Sequence, residues 1–246
     1  MSTSTTIEPP EIEYPDSDGQ PMAENTLQFE WIQVLQMNID DLFKDVPDVF
    51  VAGDNLIYPV EGHPEIRNAP DVYVIFGRPK GHRGSYQLWQ EEGLFPQVVF
   101  EILSPGNRRA EMSRKLTFYD TYGAEEYYLY DPARRTFEGY VRGPAGLQPV
   151  ATRRSWTSPR LGIRFDMTGL DLVVYKPDGK PFQTFRELST RLEHAEQLAA
   201  AERQRAEAES RRAEAESRRA EAERMEKERL LALLKAAGIE SDAARS

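Results

Sequence analysis

Cysteine is absent from the 246-residue sequence, and histidine occurs only three times. Without cysteine, disulfides, thiolate metal sites and a cysteine nucleophile are all excluded. His63, His82 and His194 form no H-E-x-x-H motif or other paired metal spacing, and the chain contains no G-x-S-x-G sequence. Hydrolysis by a zinc-dependent protease or by a serine enzyme of the α/β-hydrolase type is therefore unsupported.

Long hydrophobic runs are also missing. No apolar stretch approaches the roughly 18 to 20 residues of a membrane span. The N-terminus lacks the basic segment and the following apolar segment of a secretory signal. Together with the lack of cysteine, these absences predict a soluble, cytoplasmic protein with no membrane partner.

The charge of the chain is acidic overall and unevenly distributed. A net charge of −10 speaks against a protein whose whole surface binds nucleic acid non-specifically. Residues 1–25 contain six acidic residues and no Lys or Arg, which is typical of a disordered leader. Residues 101–164 hold 11 basic and seven acidic residues. This excess indicates either a patch that meets phosphates or a set of solvated surface arginines.

A charged repeat dominates residues 184–246. The heptapeptide R-A-E-A-E-S-R stands at 205–211 and again at 212–218, and this period predicts a long charged helix that can form a coiled coil. Its seam consists of alanine only, while Glu207 with Arg211 and Glu214 with Arg218 form i,i+4 pairs. A solvated single helix is therefore the alternative. A homo-oligomer through this helix or through the domain stays open.

The remaining span, residues 26–183, is predicted to be one α+β (α/β) domain with a mixed β-sheet flanked by helices. Apolar residues between Phe29 and Phe43 recur at helical spacing and predict an amphipathic first helix. Strands are predicted at 49–51, 56–60, 71–76, 97–103 and 125–130. A helix at 107–122, ended by Gly123, joins the last two of these strands, and this order predicts that they pair in parallel.

The less regular strands allow fewer conclusions. Segments 49–51 and 56–60 flank Gly53-Asp54-Asn55, which indicates a hairpin or two short strands. Segments 136–141, 161–165 and 170–175 are separated by turns rich in Gly and Pro. We expect these three segments to be antiparallel additions at the edge of the sheet.

Glu101 stands out because it lies in a strand with apolar residues on both faces, which predicts burial on both sides. A buried carboxylate is normally neutralised, paired or bound to a metal, unless it reaches water at the strand end. On a helical wheel of the following helix, Lys115 points into the apolar face that contains Met112 and Tyr119. Lys115 can therefore meet Glu101, although an i,i+4 pair with Glu111 is the simpler alternative.

Asp71 follows Pro70 at the start of a predicted strand. Taken alone, an Asp after Pro is more often a turn residue. Taken with Glu101 and Lys115, it completes a site of two carboxylates and one lysine. Two acids can hold Mg²⁺ or Mn²⁺ through oxygen ligands and leave positions for water and a phosphate. Such a metal activates water and polarises a phosphodiester, while the ammonium orients that water or stabilises the developing charge.

The same residues resemble a known family. Pro70-Asp71, V-V-F-E-I-L-S-P-G-N at 98–107, K-L-T-F-Y at 115–119, G-A-E-E-Y-Y at 123–128 and Asp131-Pro132 resemble the Uma2 family of endonucleases, in the PD-(D/E)XK nuclease superfamily. The resemblance covers about residues 24 to 183. It implies a restriction endonuclease-like fold, Mg²⁺ dependence, and hydrolysis of DNA phosphodiester bonds by Asp71, Glu101 and Lys115.

One departure from the superfamily pattern concerns the lysine. The superfamily expects Glu-x-Lys on the strand, whereas this chain places Leu103 where the lysine should be. In some branches the lysine has moved to the following helix, and Lys115 is the matching residue here. Glu24 and Glu30, at or before the first helix, and Asp54 are candidate additional acids.

Five cations are candidate DNA contacts. Arg78, Lys80 and Arg83 lie in a glycine-containing loop at 77–84, and Arg108 and Arg109 precede or open the second helix. Such cations can clamp phosphates without reading sequence, but they are as often exposed surface residues.

Two functional hypotheses follow from the sequence. The first is a Mg²⁺-dependent DNA endonuclease, favoured by Asp71, Glu101 and the inward-facing Lys115. The second is a weakly active or inactive nuclease-like module that binds or assembles through its C-terminal helix. The acidic net charge and the missing strand lysine favour the second.

Overall fold

The computed structural model describes residues 12–17, 19, 21–107, 109–152 and 154–236. The chain divides into two compact units, one ending at Phe185 and the other beginning at Arg186. The first unit is a mixed α+β domain, and the second consists of a long helix within its described residues. The predicted fold class, a mixed sheet with helices and a long C-terminal helix, is confirmed.

The strands are two to eight residues long, and the helices differ widely in length. Helix α1 spans Thr26–Leu42, α2 spans Arg109–Tyr122 and α3 spans Phe185–Ala236. The strands are β1 Val49–Ala52, β2 Ile57–Tyr58, β3 Val72–Phe76, β4 Tyr86–Gln87, β5 Val98–Ile102, β6 Glu126–Asp131, β7 Thr136–Gly143, β8 Gly146–Pro149, β9 Ser155–Thr157, β10 Arg164–Asp166 and β11 Val173–Tyr175. A short 3-10 helix at Leu88–Gln90 follows β4.

The main sheet has six strands in the order β1-β3-β5-β6-β7-β8. Strands β5 and β6 pair in parallel, and the other neighbours pair antiparallel. Helix α2 is the crossover between β5 and β6, as the sequence predicted. Gly123, at φ +105°, ends α2 in a conformation that side-chain-bearing residues rarely adopt.

Each face of the main sheet packs against one helix. Ile32, Leu35 and Ile39 of α1 pack in one core cluster, which also contains Phe100 of β5. Tyr119 of α2 packs in the second cluster, on the opposite face. Because strand residues alternate between faces, Phe100 points toward α1 while Glu101 points toward α2.

The structure decides between the two alternatives for segments 49–51 and 56–60 and corrects one expectation about the later strands. Strands β1 and β2 are two short strands and not a hairpin, since β1 pairs with β3 and β2 pairs in parallel with β4. Segments 161–165 and 170–175 do not extend the edge of the main sheet. They contribute β10 and β11 to a separate three-stranded sheet, because Phe165 and Val174 are buried in the core cluster on the α1 face.

The predicted acidic leader is only partly described. Residues 1–11, 18 and 20 lie outside the described residues. Tyr14 packs edge-on against Tyr58 with ring centroids 5.1 Å apart, and the Tyr58 hydroxyl donates to the Pro15 carbonyl at 2.8 Å. At these two positions the chain is in contact with the domain, which differs from the expectation of a disordered arm.

Helix α3 is unlike the helices of the domain. It runs for 52 residues, and none of its residues is buried. Arg224 and Glu228 form one of its i,i+4 ion pairs, at 3.2 Å. Within the described residues, no helix combines the length and the apolar character that crossing a membrane requires.

Candidate metal and catalytic site

Glu101 is buried near the end of the central strand β5. Only 2% of its surface is exposed, and it points to the α2 face together with Val99. Both carboxylate oxygens have partners, since the Lys115 ammonium donates to Oε2 at 2.7 Å and the Tyr119 hydroxyl donates to Oε1 at 2.7 Å. A buried carboxylate with charged and neutral donors is the arrangement that makes burial tolerable.

Lys115 reaches Glu101 from helix α2, as the wheel argument predicted. Burial lowers the pKa of Lys115, but the charge of Glu101 and the hydrogen bond to it raise the pKa more, and the net value lies above that of an ordinary lysine. The ammonium therefore stays charged at neutral pH. Glu111 is a weaker electrostatic neighbour of Lys115 than Glu101 is.

Asp71 comes to the same place from strand β3. Strands β3 and β5 are antiparallel with Val72 opposite Phe100, and continuing this register by one residue sets Asp71 opposite Glu101. The Ile102 amide donates to Asp71 Oδ2 at 2.6 Å, which fixes the carboxylate against β5. The structure thus gathers the three predicted residues at one end of two neighbouring strands.

The surroundings of Asp71 favour its protonated form. Burial and then the charge of Glu101 raise the pKa of Asp71 from 3.8 to about 8, against the opposing effects of the Ile102 amide and Lys115. The charge of Asp54 raises it further. Asp71 therefore keeps its proton near neutral pH in the absence of a metal, whereas a bound cation would favour the carboxylate form.

The donor set fits a hard divalent cation. Within the described residues, no group of three or more His, Cys, Asp and Glu is arranged to hold a metal ion. Asp71 and Glu101 are two oxygen donors, which suits Mg²⁺ because that ion keeps several waters and is commonly held by one or two carboxylates.

Three positioning groups at the site were not identified from the sequence. Tyr119 was placed on the apolar face of α2, but its hydroxyl is what holds Glu101 Oε1. Gly53 packs so closely on Asp71 that an added Cβ would overlap the Asp71 carbonyl. Gln28 of α1 donates to the Ile102 carbonyl at 2.8 Å. The sequence offered one signal for these contacts: Tyr119 shares the apolar face of α2 with Lys115, which was predicted to meet the buried Glu101.

The candidate additional acids have different surroundings. Asp54 lies close enough to Asp71 for its charge to raise the Asp71 pKa, and its amide donates to the Pro70 carbonyl at 2.9 Å. Glu24 accepts a short hydrogen bond from the Ser104 hydroxyl, just beyond β5. Glu30 is exposed on α1. Asp54 is therefore the additional acid with the clearest electrostatic effect on Asp71.

The cations of the 77–84 loop are paired with carboxylates. Arg78 pairs with Glu92 at 2.7 Å and Lys80 with Asp40 at 2.7 Å.

Arg83 of the same loop pairs with Glu91 at 2.5 Å and lies over the Phe50 ring. This pairing leaves less positive charge for a phosphate. Arg109 is exposed at the start of α2, and Arg108 lies outside the described residues.

Asp71 and Glu101 on neighbouring strands and Lys115 on the following helix are the three residues that the resemblance implied. A sequence profile of the Uma2 family, described as "Putative restriction endonuclease", matches residues 6–172. Because this match covers more than half of the chain, the protein belongs to the Uma2 family. The match begins within the predicted leader, in which Tyr14 and Pro15 contact the domain.

Similarity to characterised proteins is limited. No curated protein matches the sequence. Among solved structures, the chain is similar to the crystal structure of a "putative nuclease belonging to DUF820" from Anabaena variabilis. The two share 16% sequence identity with a TM-score of 0.40, over 62% of this chain and 86% of the other.

Proposed function

We propose that the domain is a metal-dependent endonuclease that hydrolyses DNA phosphodiester bonds at Asp71, Glu101 and Lys115. The observation that carries this proposal is the meeting of the three side chains, with Lys115 Nζ 2.7 Å from Glu101 Oε2. Membership of the Uma2 family supports a nuclease in general. The choice of DNA and of Mg²⁺ or Mn²⁺ rests on the donor chemistry and on the resemblance.

Each residue has a distinct role in this proposal. Asp71 and Glu101 would hold the divalent ion, which when bound polarises the phosphodiester and lowers the pKa of a water. Lys115 stays protonated beside Glu101, and its N–H groups can orient the attacking water or stabilise charge that develops on the phosphate. The Ile102 amide and the Tyr119 hydroxyl keep the two carboxylates in place.

Lys115 also explains how a nuclease can function with Leu103 on the strand. An apolar side chain cannot replace an ammonium, but the ammonium of Lys115 is supplied from α2 and contacts the same carboxylate. The Lys115 side chain is 18% exposed, so it is not completely enclosed by the core. The departure from Glu-x-Lys therefore does not remove the cation from the site.

The experiment that tests the proposal is a plasmid-nicking assay with Mg²⁺, Mn²⁺ or EDTA. We expect conversion of supercoiled to open-circular plasmid with either metal and none with EDTA. Equal nicking in EDTA would show that the activity does not depend on a metal.

A second candidate function is an assembly module, and one observation favours it. None of the residues of helix α3 is buried, and the helix carries the alanine seam of a heptad repeat. If the module assembles through α3, the full chain is oligomeric and a chain without α3 is monomeric by light scattering. Nicking activity in both would favour the endonuclease as the primary function.

A further inference from the structure

A cavity of about 680 Å³ lies beside the candidate site, between α2 and strands β6 and β7. This volume is within the range of about 300 to 1,000 Å³ that small-molecule sites occupy. Leu116 lines the cavity and directly follows Lys115, and Leu129 lines it and pairs with Glu101 across β5 and β6. A group held in the cavity would therefore contact direct neighbours of Lys115 and Glu101, although neither of these two residues lines the cavity itself.

One residue of the cavity lining, Tyr127, has a buried hydroxyl that lacks a partner among the described residues. Tyr127 is 0% exposed. Leaving a buried hydroxyl unpaired costs about 1 to 3 kcal/mol. A tyrosine hydroxyl can donate or accept a hydrogen bond, so a polar ligand in the cavity would satisfy it.

The lining suits a flat, uncharged group with polar edges. Met112 and Leu116 provide apolar walls, and the half-buried Tyr140 provides an aromatic ring. Tyrosine rings are common platforms for unstacked bases. The lining contains two basic residues, Arg109 and Arg134, and two acidic residues, Asp131 and Glu138, so its charges balance. A balanced lining fits a nucleobase better than a phosphate.

We propose that this cavity holds a nucleobase, unstacked from the strand whose phosphate lies at Asp71 and Glu101. The substrate class would then be single-stranded DNA, or DNA with an unpaired base beside the scissile phosphate. Extruding a base from a duplex costs a few kcal/mol, and an unpaired base largely avoids this cost. This inference rests on the proposed endonuclease function and specifies its substrate.

Two matched variants on α2 test the cavity. Ser113 is exposed and lines the cavity, and its hydroxyl donates to the Arg109 carbonyl four residues earlier at 3.0 Å. Thr117 is exposed one turn later and makes the same kind of bond to Ser113 at 3.0 Å, but it is outside the cavity lining. Ser113→Trp fills the cavity mouth, and Thr117→Trp is its control.

The experiment measures, by fluorescence anisotropy, the affinity for a labelled single-stranded oligonucleotide and for the duplex that contains it. Ca²⁺ replaces Mg²⁺ in these titrations. We expect the wild type to bind the single strand at least about tenfold more tightly than the duplex, given the cost of extruding a base. Ser113→Trp should abolish this preference and Thr117→Trp should keep it. Tyr127→Phe should weaken single-strand binding about three- to tenfold, the effect of one hydrogen bond.

The outcomes separate this inference from the function on which it rests. Equal affinity of the wild type for both forms, or identical behaviour of Ser113→Trp and Thr117→Trp, overturns the base-binding cavity. If the wild type also nicks plasmid with Mg²⁺, the endonuclease survives that result. If only Ser113→Trp loses single-strand binding and the wild type nicks plasmid with none of the metals, the result supports the cavity and contradicts the endonuclease.

Discussion

The Nζ atom of Lys115 lies 2.7 Å from Oε2 of Glu101, although the two residues belong to α2 and β5. Lys115→Met removes the ammonium and keeps an unbranched apolar stem beside Met112, so the fold should survive. We expect metal binding to persist and DNA cleavage to fall by about 10², the effect of losing one electrostatic stabiliser.

The matched control for this variant is Arg114→Met, which changes an exposed cation on the same helix. It should cleave at the wild-type rate. Plasmid cleavage and calorimetric metal titration of both variants provide the comparison. Full activity in Lys115→Met with loss in Arg114→Met would reassign the catalytic cation.

Tyr119 and Tyr127 give a second prediction, about stability. Both are 0% exposed, but the Tyr119 hydroxyl donates to Glu101 while the Tyr127 hydroxyl has no partner among the described residues. Tyr119→Phe should lower the free energy of unfolding by about 1 to 3 kcal/mol, because it removes a donor from a buried carboxylate. Tyr127→Phe should leave it unchanged or raise it. Urea denaturation measures both values, and equal losses would contradict the hydrogen-bond assignment.

The sequence predicted the parts of the site that depend on local pattern. Glu101 was recognised because an acid in an all-apolar strand must be compensated, and Lys115 because the helical wheel turns it toward that strand. The Tyr119 hydrogen bond was not predicted, since the pattern marks tyrosine as apolar without showing where its hydroxyl points. The contact of Gly53 with Asp71 depends on how two distant strands pair, which no local pattern encodes.

The fold, too, was predicted where it depends on local pattern and was not predicted where it depends on contacts between distant segments. The crossover from β5 through α2 to β6 was predictable from its length and periodicity. Strands β4, β8 and β9 were missed, because β8 contains Gly146 and Pro149 and because β4 and β9 each contain a single apolar residue, Tyr86 and Trp156. Strands β10 and β11 were recognised as strands but assigned to the wrong sheet. Alternating apolar residues predict that one face of a strand is buried, but not which sheet the strand belongs to.

The raised pKa of Asp71 predicts how stability depends on pH without metal. Burial raises this pKa from 3.8 to about 8, so between these values the folded state holds a proton that the unfolded state has lost. Stability from this group should therefore fall as pH rises from about 4 to about 8 and level off above that.

Asp71→Asn isolates this effect, because it keeps an acceptor for the Ile102 amide but does not titrate. Thermal melts in EDTA at several pH values should show the wild type losing stability relative to Asp71→Asn toward pH 8. Added Mg²⁺ should restore the wild type alone. Parallel pH curves for the two proteins would show that Asp71 is not the group responsible.

The domain boundary gives a prediction about truncation. None of the residues of α3 is buried, so a chain ending after Phe185 removes no side chain from the core and should melt cooperatively. Ending the chain after Tyr175 also removes Gln183, whose backbone exchanges hydrogen bonds of 2.8 and 3.0 Å with the buried Asn38 side chain. The shorter chain should be less stable by roughly 1 to 3 kcal/mol. A molten chain ending at Phe185, in calorimetry, would make α3 part of the folding unit.

Glu101→Gln tests the central claim most directly, because it removes the charge of the proposed metal ligand and keeps its volume. The measurement pairs plasmid cleavage with calorimetric Mg²⁺ titration on one preparation of the variant, after circular dichroism confirms its fold. If Glu101 holds the metal that cleavage requires, Mg²⁺ affinity and cleavage fall together, with cleavage lower by about 10² or more. A folded Glu101→Gln protein that cleaves DNA at the wild-type rate would contradict the assignment of this site.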